Sequence, residues 1–211
     1  VVENVLAGLA KKPFAETQFF FNNYLLSPDV PAGSKIAAIE ALGSSPGDVT
    51  PFLLNYLNNP DAEIRAAVAW SLITTESASD ISTQLVGALK QEQDPMVRTR
   101  LYQALGNQSA ANSQAMLPLI QNETDPAVRL AGLQYLAGII QGSTASDMKT
   151  YFNQKAVPEL KDTALNSDSS QNRLASVLAL ERAKTPEAIA ALQVIARQSK
   201  DQKVISAVRL K

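Results

Sequence analysis

Two amino acids are missing from these 211 residues, and each absence closes off chemistry: there is no cysteine and no histidine. Without cysteine there is no disulfide framework, no thiolate nucleophile and no cysteine zinc site. Without histidine the commonest general base and transition-metal ligand is gone, so Ser-His-Asp and Cys-His catalysis are excluded within the chain. No catalytic residues, no metal site and no cofactor are expected. Charge is sparse as well. Charged residues make up 18%, and 19 basic against 20 acidic side chains leave a net charge of −1. The bulk positive charge that holds a phosphate backbone is lacking, so no nucleic-acid partner is expected. No apolar run approaches the roughly 18 residues of a membrane span. There is no initiator Met and no signal peptide, and Val1 reads as a processed or truncated start. A cysteine-free chain fits an extracytoplasmic bacterial protein, and we favour periplasmic over cytoplasmic residence on that ground.

What is present is repetition. "DPMVRTRLYQALGN" begins at Asp94 and "DPAVRLAGLQYLAG" at Asp125. Asp is a favoured N-cap, because its carboxylate accepts the orphan N–H groups of a first turn. Pro suits the next position, having no N–H to leave unsatisfied. Each motif therefore starts a helix, and Val97, Leu101, Ala104 and Leu105 give the first of them an apolar stripe that must pack on something. Gly106 is placed to end that helix. Further copies read "DAEIRAAVAWSLI" from Asp61, "SDSSQNRLASVLAL" from Ser167, a degenerate "SKIAAIEALG" from Ser34 and a closing "KVISAVRLK" from Lys203. Their basic positions, Lys35, Arg65, Arg98, Arg129 and Arg173, are separated by 30, 33, 31 and 44 residues. The long step places an irregular insertion near residues 142–155, where Ser143 to Asp147 open an extra short helix.

Between the copies lie other helical stretches, at about Pro51 to Leu57, Ile81 to Gln91, Ser113 to Gln121, Ala156 to Leu165 and Pro186 to Gln198. Each repeat is then two antiparallel helices. Strand alternation never runs far enough to make a sheet. "PFAETQFFFNNYLL" supplies the first helix of the first pair, with "VVENVLAGLAKK" as a helix before it, and Phe19, Phe20 and Phe21 read as core and end-packing residues.

The copies resemble HEAT repeats, specifically the short HEAT-like kind of about 30 residues also found in phycobilin lyases. Asp61, Ile64 and Arg65, then Asp94, Val97 and Arg98, then Asp125, Val128 and Arg129 carry the resemblance. It implies an all-α, right-handed superhelix of antiparallel helix pairs. Residues 1–211 would form one α-solenoid domain of about six repeats, probed for completeness by its end: "KVISAVRLK" stops without a polar closing repeat, and Val204, Ile205 and Val208 would leave an apolar face. We therefore expect a fragment of a longer protein, or self-association through the C-terminal end.

An Arg in the first turn of a helix lies on the wrong side of the macrodipole. The carboxylates nearest to hand in a stack are the capping Asp residues. The resemblance implies a ladder between layers, made of Asp61, Arg65, Asp94, Arg98, Asp125, Arg129, Asp168 and Arg173. Function must be sought where the repeats differ. In HEAT-like stacks the second helix lines the concave surface, and two columns of it fall between buried positions: Ile36, Ala66, Thr99, Leu130 and Leu174, and then Glu40, Trp70, Gln103, Gln134 and Leu178. Arg100 interrupts a neighbouring column of Ala37, Ala67, Ala131 and Ala175. Trp70, Arg100, Gln103, Gln134, Glu40 and Thr99 make up the expected binding face, suited to a protein or peptide, since Trp and Arg are enriched as anchors. The expected activity is a non-enzymatic scaffold. The phycobilin-lyase likeness implies an alternative, a lyase-like or chaperone-like subunit. A second alternative is a HEAT-like nucleic-acid-binding protein or glycosylase, for which Trp70 and Arg100 are suggestive and the net charge unfavourable.

Overall fold

A computed structural model describes residues 2–75, 79–108 and 113–208. Every regular element among them is helical: α1 Val2–Ala10, α2 Phe14–Leu26, α3 Ala32–Leu42, α4 Thr50–Leu54, α5 Ala62–Thr74, α6 Ser82–Gln91, α7 Pro95–Leu105, α8 Ser113–Gln121, α9 Pro126–Ile139, α10 Ser146–Tyr151, α11 Val157–Asn166, α12 Ser170–Ala183, α13 Pro186–Gln198 and α14 Gln202–Ala207. A 3-10 turn, Asn55–Asn58, extends α4, and a π turn, Phe152–Ala156, joins α10 to α11. The chain divides into two compact units, Val1–Ser109 and Ala110–Lys211.

In the first unit α2 pairs with α3, α4 with α5, and α6 with α7; the second helices stack, α3 on α5 and α5 on α7. Helix α1 packs on α3, with Leu6 and Ala10 buried. In the second unit α8 pairs with α9, α11 with α12 and α13 with α14; α12 packs on both α9 and α14, and α11 on α13. Each core is a column of small and branched side chains from the second helices, such as Ala38, Ile39, Ala67 and Val68 in one unit and Val128, Leu136, Val177 and Leu180 in the other.

The starts of these helices follow the expected chemistry. Asp94 Oδ1 accepts the N–H groups of Met96 and Val97, Asp125 Oδ1 those of Ala127 and Val128, and Asp61 Oδ1 that of Glu63. Asp168 departs from the expectation: Ser169 Oγ caps α12 by accepting from Asn172, and Asp168 is exposed.

The long step between Arg129 and Arg173 also departs. Ser146 to Asn166 run as one uninterrupted helical segment, so the extra residues lengthen the first helix of that pair. Its π turn has a local cause. Pro158 has no N–H to give, and its ring would collide with the carbonyl one turn back in a regular α-helix. Val157 N–H bonds to Phe152 O, five residues back, and the widened turn makes room for the ring.

The three phenylalanines at 19–21 part company. Phe21 is fully buried, but Phe19 is 81% exposed and Phe20 is exposed as well, lying edge-on to Phe21 and stacked on Tyr24. Consecutive helical residues point about 100° apart, so one apolar face cannot hold all three. At the other end Val204 is buried, whereas Ile205 and Val208 are half-buried; residues 209–211 of the closing copy lie outside the described residues.

Candidate binding face and the arginine ladder

The recurring arginines do form bridges, but their acceptors are not the ones expected. Arg65 Nε and Nη2 donate to Glu92 Oε2 and Oε1 at 2.7 and 2.9 Å. Arg129 holds Glu159 in the same two-pronged way at 2.6 and 2.7 Å, with Tyr151 Oη beside it at 3.0 Å. Arg173 meets Asp201 Oδ2 at 3.1 and 2.7 Å. Of these acceptors Asp201 alone is a capping aspartate, accepting also from Lys203 N–H. Asp94 and Asp125 are committed to their own helices' N–H groups, which leaves the bridging to Glu92 and Glu159.

The third guanidinium nitrogen does a second job. Arg65 Nη1 donates to the Asn59 and Pro60 carbonyls, Arg98 Nη1 to those of Leu89 and Glu92, Arg129 Nη1 to that of Ile120, and Arg173 Nη1 to those of Ser167 and Asp168. These carbonyls lie in the last turn of the first helix of the same pair or one or two residues beyond it. Because the two helices are antiparallel, the start of the second lies beside the end of the first, where the dipole is negative and carbonyls are orphaned. Each Arg therefore closes its own pair while Arg65, Arg129 and Arg173 also reach the next. Burial on its own would raise the Glu92 carboxyl; Arg65 and the N–H groups of Gln93 and Asp94 together outweigh it and hold Glu92 below the usual carboxylate range. Arg173 first, and then the Lys203 N–H, depress Asp201.

Glu92 and Glu159 escaped the reading of the sequence. A signal for Glu92 was present, since Glu-x-Asp precedes the repeat's Val-Arg at both Glu92 and Glu123, and both glutamates are buried. Glu159 carries no such signal, because it sits inside the lengthened helix.

Away from the ladder, Glu40, Trp70 and Gln103 occupy equivalent positions on α3, α5 and α7, five residues after Lys35, Arg65 and Arg98, and all three are exposed. The helices that carry them are stacked neighbours, so the three side chains form a row across the first unit. Trp70 is 48% exposed, and the Arg100 guanidinium from the next layer lies over its indole, 5.6 Å from the ring centroid. That is cation–π range. Thr99 is half-buried on α7 and Ile36 on α3, whereas Ala66 is buried, so that column is mostly a seam between helices. Gln134 belongs to the second unit, half-buried on α9, and Leu178 is exposed on α12.

The geometry of the first unit has a counterpart among known proteins: the family model for HEAT repeats matches residues 25–106. Residues 25–106 are thus HEAT-like. The match spans α3 to α7, and with them Glu40, Trp70, Arg100 and Gln103. No curated protein matches the chain. HEAT repeats are in general protein-interaction scaffolds and typically non-catalytic. Among the described residues no cluster of acidic side chains is arranged to hold a metal ion, and no helix is long and apolar enough to cross a membrane.

Proposed function

We propose that the chain is a peptide- or protein-binding scaffold whose contact surface is the second-helix face of the HEAT segment, centred on Trp70. One observation supports this above the others. A large aromatic side chain stands half out in solvent at a position where the neighbouring repeats place Glu40 and Gln103, so packing of the stack does not require it. Exposed Trp beside Arg is the composition of binding hot spots. Glu40 and Gln103 on either side offer an acceptor and a carboxamide to a partner's main chain.

Selection from a display library of random short peptides on the intact chain tests this reading. Trp70 is the one tryptophan of the protein, so each selected peptide can be titrated by intrinsic fluorescence. Trp70→Ala, followed by calorimetry, should weaken binding by about 2 kcal/mol or more. The same substitution should cost the fold less than the roughly 3–5 kcal/mol of a fully buried Trp. A library that yields no binder sensitive to Trp70→Ala would dispose of this surface.

A further inference from the structure

Arg100 differs from the bridging arginines of the second helices. Arg65, Arg129 and Arg173 are satisfied, each holding a carboxylate with two nitrogens or two bonds while Nη1 caps a helix end. Arg100 is built differently. It stands where Ala37, Ala67, Ala131 and Ala175 stand in the other copies, it is half-buried, and among the described residues no carboxylate lies within ion-pairing distance of it. The contact found for it is the Trp70 ring face. With its Cζ 5.6 Å from the indole centroid, the guanidinium has N–H groups left over, and those groups are the part that binds a carboxylate in two-pronged fashion. The cation–π contact restrains the fork before a ligand arrives, so less rotamer freedom is lost on binding.

Resting on the peptide-binding reading above, we infer that the Trp70–Arg100 pair is a receptor for an acidic side chain of an extended peptide, with an apolar residue beside it on the exposed part of the indole. Charge sets the direction. Glu40 lies on the far side of Trp70 from Arg100, on α3, so a carboxylate is attracted at the α7 end of the row and repelled at the α3 end. Neighbouring helices are spaced about 8–10 Å apart, and an extended chain advances about 3.3 Å per residue. The three helices thus span about six residues of ligand. The matching segment carries a basic or neutral residue at one end, an apolar one in the middle and Asp or Glu toward the other.

The peptides selected on the intact chain test this directly. Those sensitive to Trp70→Ala should be enriched in Asp or Glu within about three residues of an apolar one. Exchange of that acid for Asn or Gln should weaken binding about tenfold or more, as should Arg100→Glu, because a charge-assisted bond is lost. Selection on the Arg100→Glu protein should return Lys or Arg at the same place. Arg100→Lys should recover only part of the affinity, since an ammonium is no fork. The acid's position is read with amidated peptides, so that a free C-terminal carboxylate cannot stand in for the side chain. Binders that need Trp70 but show no acidic preference would overturn this inference and leave the scaffold reading intact. Absence of any binder sensitive to Trp70→Ala would remove both. Displacement of the peptides by a short oligothymidylate through Arg100, with no acidic preference among the peptides, would assign the fork to phosphate instead.

Discussion

At the scale of single residues, one guanidinium serves two interfaces, and the consequences are measurable at Arg65. Its side chain is 17% exposed and that of Glu92 6%. Arg65→Ala strands a nearly buried carboxylate and uncaps the Asn59 and Pro60 carbonyls, so urea denaturation should show a loss of about 1–3 kcal/mol. Asp94→Ala should cost about 1 kcal/mol, the value of a cap alone. The pair also has a pH signature. Since the folded chain holds Glu92 below its ordinary value, the stabilisation is complete above that value, about 4.3, and disappears as pH falls through the lowered one. The stability gap between the native chain and Glu92→Gln should be constant from neutral pH to about pH 5 and narrow progressively as pH falls below about 4.3. A gap that persists in acid would mean that shape, and not charge, holds Glu92.

Two glycines make a further contrast at this scale. A Cβ on Gly43 would come within 3.0 Å of Ser71 Cβ, whose hydroxyl is tied to the Ile39 carbonyl, and 3.3 Å of the Glu40 carbonyl. Neither neighbour can swing away. A Cβ on Gly138 would meet the Arg182 guanidinium at 2.8 Å, the far end of a flexible side chain on an exposed residue. Gly43→Ala should therefore cost about 1–3 kcal/mol. Gly138→Ala, inside α9, should be neutral or gain up to about 1 kcal/mol from helix propensity once Arg182 moves aside. Melting temperatures of the two variants check the ordering, and equal losses would contradict it.

At the scale of elements, the lengthened helix from Ser146 to Asn166 is the place to interfere. Its π turn behaves as one residue more than the α-helix needs, and Asn153 Oδ1 within it is buried with no hydrogen-bond partner among the described residues. Deletion of Asn153 removes the residue that makes room for the Pro158 ring and should cost about 3 kcal/mol, whereas deletion of Leu160, fully buried in α11, rotates its packing face away and should unfold the pair. Circular dichroism melts of the two deletions would separate these outcomes. The same region shows how far the sequence could be read. Helices begun by Asp-Pro or Thr-Pro were legible to within a residue or two, because capping is local chemistry. The extra residues after Gly142 were legible as an excess of length but not as a longer helix, because Pro158 reads as a helix start and not as a residue that a π turn can absorb inside one. On the candidate face the row of Glu40, Trp70 and Gln103 followed from helical spacing alone. The cation–π contact of Arg100 with Trp70 did not, since it depends on how α5 and α7 meet. The carboxylates of the ladder were misplaced for a similar reason. Spacing within a copy shows which Asp caps which helix, but not which acid faces the next layer.

At the scale of the whole molecule, contacts are local in each compact unit. In the first, α3 packs on α1, α2 and α5, and α5 in turn on α7, so that stability is passed from layer to layer. Stacks of this kind approximate a sum of repeat and nearest-neighbour terms. Leu42 is fully buried at the end of α3, and Leu42→Ala should remove about 2–5 kcal/mol. If the first unit behaves as a layered stack, that loss will be uneven: amide exchange should quicken most in α1 to α3, less in α5 and least in α6 and α7. The proposed binding row gives the gradient a functional reading. Trp70 and Arg100 stand on α5 and α7, one and two layers from the lesion, so peptide affinity should survive a loosening that strips protection from α3. Equal acceleration across all seven helices, with a parallel fall in affinity, would mean that residues 2–108 open as one cooperative block and that the row depends on every layer beneath it.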